Sequence, residues 1–188
     1  MERITITEDM HIKAEVLASN MPAYKLSYRG AEANPVGCLG ETVAEEWLKR
    51  NGIVFYDERN ETTHDYRLAD RNLTFDVKTK DRTVPLRPNY ECTVPLYNHD
   101  HQQPTYYLFI SLQRDKSNKT DDIRRFHTAY IAGGLNQEQL KSRSRFYPEG
   151  VTDPSNDMTI KLSCLNTYAS QVESPAVVIE RWKELQLA

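Results

Sequence analysis

Alternating apolar and polar positions predict a β-hairpin around the polar cluster 69–72. Apolar residues occupy every second position before and after this cluster, which is typical of two antiparallel strands. A two-residue turn and a four-residue loop both give one register, in which Tyr66 faces Phe75. In the same register Asp65 faces Asp76. Residues that face each other across a strand pair lie on one face of the sheet, with Cβ atoms about 5 Å apart.

Apolar stripes at helical spacing predict helices elsewhere in the chain, and short apolar runs predict further strands. The helices are placed at 8–17, 40–51, 136–142 and from Ser174 onwards, and the strands at 53–56, 105–112, 126–132 and 158–165. The segment 21–35 is predicted to be an irregular arm. The segment 81–104 is also predicted to be irregular, because prolines interrupt it.

This order of elements predicts an α/β (α+β) fold with a central mixed sheet of four to five strands flanked by helices. The 188 residues suit one domain with a proper core. We divide it into an N-terminal arm or helix (1–36), a catalytic core (37–112), and a part that completes the sheet and ends in a helix (113–188).

Composition narrows the class of protein. No apolar run approaches the roughly 18 residues of a membrane span, so no membrane partner is expected. The net charge of −3 means that a nucleic acid would need a local basic patch. Three widely spaced cysteines, without a CxxC pair, predict free buried thiols in a reducing compartment. These features predict a cytoplasmic protein, or one made in the cytosol of a host cell.

The candidate chemistry lies on the predicted hairpin. Two opposed carboxylates, Asp65 and Asp76, repel each other unless something compensates their charge. A divalent cation with hard oxygen ligands, Mg²⁺ or Mn²⁺, would do so. Lys78 lies two residues after Asp76, on the same side of the strand. Glu41 lies at the edge of the apolar face of the helix 40–51, where it can approach this site.

These residues resemble the motif of the PD-(D/E)XK nuclease superfamily, over about residues 40–112. Glu41 on a helix, Asp65 at the start of a strand, and Asp76-Val77-Lys78 on the next strand match the pattern. His64 stands where the motif has its proline. The resemblance implies a restriction-endonuclease-like core.

The resemblance also implies roles for these residues. It implies that Asp65, Asp76 and the Val77 carbonyl hold Mg²⁺, for which Mn²⁺ would substitute. Glu41 would bind the metal directly or through water. Lys78 would orient or activate the attacking water.

A second family feature, Q-x-x-x-Y, is met literally by Gln102 with Tyr106 and by Gln103 with Tyr107. Pro104 falls inside both matches, so the helix that carries this glutamine in the family is expected to be displaced or missing.

Two groups of basic residues are candidates for contact with a nucleic-acid backbone. The first group is Lys80, Arg82 and Arg87, and the second is Lys141, Arg143 and Arg145. The second group also fits an ordinary solvated surface.

The sequence therefore predicts a metal-dependent DNA nuclease, with an endonuclease favoured and a homodimer possible. An exonuclease or a Holliday-junction resolvase are alternatives within that class. From other classes, a non-catalytic nucleic-acid-binding module and a structural viral protein stay open. In the plainest alternative, the acid pair is exposed and incidental, and Glu41 is favoured by the dipole of its helix.

Overall fold

A six-stranded mixed sheet forms the centre of the fold in the computed structural model, which describes residues 1–20, 33–61, 63–69, 71–96, 102–153 and 157–187. The strands are numbered along the chain. They are β1 (Glu2–Thr5), β2 (Phe55–Asp57), β3 (Tyr66–Leu68), β4 (Thr74–Arg82), β5 (Glu91–Pro95), β6 (Tyr106–Arg114), β7 (Phe126–Asn136), β8 (Arg145–Tyr147), β9 (Thr152–Asp153), β10 (Met158–Thr159) and β11 (Cys164–Tyr168). The central sheet has the order β1-β7-β6-β4-β3-β2, in which only the β4–β6 pair is parallel. A second sheet has the order β5-β11-β8, and β9 pairs with β10.

Three of the described helices cover one face of the central sheet, and the second sheet covers the other together with the remaining helix. The helices are α1 (Glu8–Ser19), α2 (Ala33–Arg50), α3 (Gln137–Arg143) and α4 (Pro175–Leu187). One core cluster joins α1, α2 and α4 to the sheet, and a separate cluster joins the opposite face to β5, β11 and α3. Trp182 of α4 is fully buried, with its ring centroid 4.8 Å from that of Phe75. The apolar face of the site-bearing strand β4 is therefore packed against α4.

The predicted hairpin is confirmed in its register. Tyr66 pairs with Phe75, and the N–H of Leu68 donates to the carbonyl of Leu73 at 2.8 Å. The rings of Tyr66 and Phe75 stack at 5.2 Å on the helical face. The mixed sheet with flanking helices and the strand predicted at 105–112 are confirmed as well. That strand, β6, is almost wholly buried, and Asn136 caps α3.

The start of α2 was predicted wrongly. The helix begins at Ala33, seven residues before the predicted start at Gly40, so the end of the predicted arm is helical. Pro35 lies in the first turn, where its missing N–H leaves no hydrogen bond unmade. The rest of the arm, residues 21–32, lies outside the described residues.

Strand lengths and number were also mispredicted. The segment 81–104 contains β5 and the end of β4, and the predicted strand 158–165 is two short strands, β10 and β11. The central sheet has six strands, since β1 escaped prediction. β7 does not end before Gly133 but runs through it, because a register shift beside Phe109 makes a bulge there. Gly133 has φ +130°, which a bulge accommodates.

No helix in the described part of the chain is both long enough and apolar enough to cross a bilayer.

A close approach of α2 to β4 brings Glu41 beside the hairpin. A Cβ atom on Gly40 would lie 1.9 Å from Oγ1 of Thr79, whose branched side chain is packed in place. Only glycine permits this distance. Gly37, one turn earlier on the same helix, has no atom within 4 Å of the equivalent position.

We predict that Gly40→Ala lowers the free energy of unfolding by about 1–3 kcal/mol, the usual cost of overpacking. The matched control, Gly37→Ala, should be neutral or stabilise by about 0.5–1 kcal/mol, since alanine favours helix. Urea unfolding monitored by circular dichroism measures both. Equal effects of the two substitutions would show that the contact with Thr79 does not limit the packing.

Candidate active site

The two hairpin carboxylates lie directly across from each other, as the register requires. The peptide N–H of Asp65 donates to Oδ1 of Asp76 at 3.1 Å, and the N–H of Val77 donates to Oδ2 of Asp65 at 3.1 Å. Each carboxylate thus accepts a backbone hydrogen bond from the opposite strand. The side chains continue the strand pairing for one residue beyond the end of β3.

Lys78 completes the group. Its Nζ lies 2.9 Å from Oδ2 of Asp76, which is fully buried. Burial alone would lower the pKa of Lys78, but the charges of Asp76 and Asp65 outweigh that effect and raise its pKa above the ordinary value. Lys78 is therefore a fixed positive charge at neutral pH. Its side chain keeps 22% of its exposure, so the charge can be approached from outside.

The surroundings of Asp65 disfavour its ionised form. Burial raises the pKa of its carboxyl well above the usual value, and the charges of Asp76 and Glu41 raise it further, against the opposing charge of Lys78. Its second oxygen, Oδ1, accepts no hydrogen bond from a described residue. Asp65 is half-buried, and a carboxylate with a raised pKa and a spare oxygen is a common feature of functional sites.

Glu41 lies at the side of this group, held by a residue that sequence reasoning missed. Nη1 of Arg59 donates to Oε2 of Glu41 at 2.8 Å, and the same guanidinium contacts Glu45 and Asp57. Burial raises the pKa of Glu41 in spite of this ion pair. Arg59 lies on the loop after β2, and no motif in the sequence marks it.

The donor atoms suit one hard cation held by two carboxylates and a carbonyl. The N–H and C=O of a strand residue point to the same side, so the carbonyl of Val77 points toward Asp65, as its N–H does. Carboxylate and carbonyl oxygens are the ligands that Mg²⁺ and Mn²⁺ prefer. Within the described ranges, no group of three or more His, Cys, Asp or Glu side chains is arranged to hold a metal. A metal role for Glu41 stays a prediction.

Two of the three residues of the first basic group lie on β4, the strand that carries Lys78. Lys80 and Arg82 follow Lys78 on the same face of β4, and their donors contact Thr93 and Ser111 respectively. Arg87 is exposed on the next loop, 5.9 Å from the ring centroid of Tyr90.

The second basic group lies elsewhere, on α3 and β8. Nη1 of Arg143 donates to the carbonyl of Gln171 at 3.0 Å, and the guanidinium of Arg145 stacks 4.5 Å from the ring centroid of Tyr168. Lys141 lies exposed on α3. Their contact with a nucleic acid stays a prediction.

The two glutamines of the predicted Q-x-x-x-Y feature, Gln102 and Gln103, lie outside helices and strands, just before β6. Neither glutamine therefore lies on a helix, which is the element that carries this residue in the family.

His64 and the three cysteines are assigned no role in the chemistry of this site. His64, which stands at the proline position of the motif, pairs with Glu58 at 2.7 Å. The three cysteines are buried thiols that form no disulfide, as predicted. Burial raises the pKa of Cys92 to about 11, which leaves its thiol un-ionised at neutral pH.

The chain matches no protein-family model, and a search of curated proteins finds no match either. The site is therefore interpreted from its own geometry.

We predict that Asp65→Asn raises the thermal unfolding midpoint by about 2–4 °C at pH 8 in EDTA, which corresponds to roughly 1 kcal/mol for a chain of this length. A carboxyl whose pKa is raised on folding loses stability as pH rises above its unfolded pKa of about 4. The gain in midpoint should therefore shrink toward pH 4.5, because the Asp65 carboxyl of the folded wild-type protein then becomes as uncharged as the asparagine that replaces it. Asparagine keeps an acceptor for the N–H of Val77.

The matched control is Glu61→Gln, which removes one exposed negative charge and should leave the midpoint unchanged at both pH values. A lower midpoint for Asp65→Asn at pH 8 would contradict the claim that the fold penalises this charge.

Proposed function

We propose that this protein is a divalent-metal-dependent nuclease that hydrolyses phosphodiester bonds in DNA. The observation that carries the proposal is the register of β3 and β4, which sets Asp65 opposite Asp76 with Lys78 on the same face. Two like charges at such a position are costly unless a cation joins them. One ammonium group beside two carboxylates is an arrangement suited to phosphoryl chemistry.

The residues that would hold the cation are Asp65, Asp76 and Val77, the last through its carbonyl oxygen. When bound, Mg²⁺ would lower the pKa of a coordinated water and stabilise negative charge on the scissile phosphate. Lys78 adds a fixed positive charge at the point where the pentacovalent state is most negative. Since its pKa is raised, Lys78 acts as a charge that orients the anion and the water rather than as a base.

Glu41 and Arg59 support the site from the side of α2. The ion pair between them partly neutralises Glu41, whose charge otherwise adds to the repulsion at Asp65. Glu41 would take part through a water held between its carboxylate and the cation. Arg59 is a positioning residue, because it contacts the carboxylates of α2 and not the reacting group.

An endonuclease is the form of this proposal that we favour, because the sequence carries no helicase or ATPase motif and has three cysteines, too few for a four-cysteine cluster. An exonuclease, a Holliday-junction resolvase and a binding module without catalysis are separated from it by the experiment below.

We predict that the purified protein cuts supercoiled plasmid with Mg²⁺ or Mn²⁺ and not in EDTA. Lys78→Ala should lower the rate by about 100-fold or more, the usual cost of losing one preorganised charge. Asp76→Ala should abolish cutting. Lys119→Ala, which removes an exposed lysine from the loop after β6, should cut at the wild-type rate.

The products distinguish the alternatives. Nicked or linearised circles indicate an endonuclease, whereas shortening of linear DNA from its ends indicates an exonuclease. Cutting confined to four-way junctions indicates a resolvase. If the wild-type protein binds DNA but cuts nothing with either metal, the binding module replaces the nuclease.

A further inference from the structure

A cavity of about 770 Å³ lies along the part of β4 that β3 leaves uncovered. It begins at Val77 and Lys78 and extends along the strand to Arg82. Its other walls are β5, the start of α2, and the segment 158–162. We call this space the β4 cleft. It opens directly from the candidate active site.

The β4 cleft is locally basic in a chain of net charge −3. Its charged lining consists of five cations and three anions. The cations are Lys78, Lys80, Arg82, Arg114 and Lys161, and the anions are Asp81, Glu91 and Asp153. Asp81 is already paired with Arg114 at 3.0 Å. Lys78 is likewise paired with Asp76 at 2.9 Å. The rest of the charged lining has three cations, Lys80, Arg82 and Lys161, and two anions, Glu91 and Asp153, so a small positive surplus is left for an anionic ligand.

Two of these cations contact only neutral acceptors among the described residues. Nζ of Lys80 donates to Oγ1 of Thr93 at 2.9 Å. Arg82 donates to Oγ of Ser111 at 3.0 Å and to the backbone carbonyl of Glu91 at 2.6 Å. Burial lowers the pKa of both side chains, and the charge of Glu91 opposes that effect. Neither cation forms an ion pair within 4.0 Å with a described carboxylate.

The spacing of the cations suits a repeating anion. Lys78, Lys80 and Arg82 occupy alternate positions of one strand, so they share a face and follow one another at about 6.8 Å. Tyr90 borders the cleft, with Cζ of Arg82 lying 5.1 Å from its ring centroid. An aromatic ring and a guanidinium beside a row of cations are the elements with which proteins bind single strands.

We propose that the β4 cleft binds an unpaired nucleic-acid strand, with Lys80 and Arg82 contacting the phosphates that follow the one at Lys78. The cations follow one strand of the sheet in a single row, so they suit the phosphates of one nucleic-acid strand. The proposal rests on the proposed nuclease function, because that function places the scissile phosphate at Lys78.

The test is binding in EDTA, where cutting cannot contribute. Fluorescence anisotropy is measured with labelled 12-nucleotide single-stranded DNA, the same sequence as RNA, and the 12-base-pair duplex. Single strands should bind at least 10-fold more tightly than the duplex, and the comparison of DNA with RNA identifies which sugar the cleft accepts. The double variant Lys80→Gln with Arg82→Gln should weaken single-strand binding by about 10-fold or more.

Salt dependence measures the phosphate contacts themselves. Each lost contact with a single strand lowers the slope of log K against log salt by about 0.7, so the double variant should lose about 1.4. Two controls remove charge elsewhere. Lys119→Gln should change nothing, and the double variant Lys141→Gln with Arg143→Gln should retain single-strand binding. Unchanged binding in the cleft variant, or loss only in the Lys141 and Arg143 variant, would overturn the proposal.

A measurement on the wild-type protein covers the case in which the cleft variant fails to fold. Single-stranded DNA carrying 5-iodouracil is photo-crosslinked and the adduct is mapped by mass spectrometry. The adduct should fall on residues 78–93 or 158–166, and an adduct confined to α3 and β8 would overturn the proposal. Because neither assay needs cutting, a protein that binds single strands through the cleft but leaves plasmid intact would refute the nuclease and not the cleft.

Discussion

The register between β3 and β4 is the constraint on which the candidate site depends. Side chains alternate between the two faces of a sheet, so a slip by one residue would send Asp76 and Lys78 to the helical face. Packing prevents that slip, because Tyr66 and Phe75 stack with each other and Phe75 lies against Trp182. The apolar face of the hairpin thus fixes the position of the polar face.

The arrangement costs stability, and nearby contacts offset part of that cost. A buried carboxylate, Asp76, faces the half-buried Asp65, yet each accepts a peptide N–H from the opposite segment and Lys78 lies against Asp76. Arg59 compensates Glu41, which the contact of Gly40 with Thr79 brings close to the same site. Local conflicts of this kind are expected at functional sites, where the chain is not optimised for stability alone.

The elements of the fold that could be predicted are those whose apolar residues recur at regular spacing within a short segment of the chain. The two-residue period around positions 69–72 was enough to pair Asp65 with Asp76, and the buried run before position 113 was enough to place β6. The start of α2 was missed because Pro35 resembles a helix breaker, although a first turn tolerates it. β5 was hidden among prolines, since its partner β11 lies far away in the sequence.

The contacts that join distant elements were not predictable from the sequence. Arg59 meets Glu41 only because a loop after β2 folds back over α2, and loop conformation leaves no periodic signal. The neutral surroundings of Lys80 depend likewise on how the second sheet packs over β4, so its charge alone did not indicate a cleft. The types of residue on the hairpin indicated where the candidate site lies. Tertiary packing determined which side chains surround each charged group.

Anomalous diffraction from crystals grown with Mn²⁺ tests the central claim most directly, because it locates the ion without depending on a choice of substrate. The account predicts a peak within coordination distance of both Asp65 and Asp76, on the side to which the Val77 carbonyl points. A crystal saturated with Mn²⁺ that shows no peak there, or a peak bound to other residues alone, would contradict it.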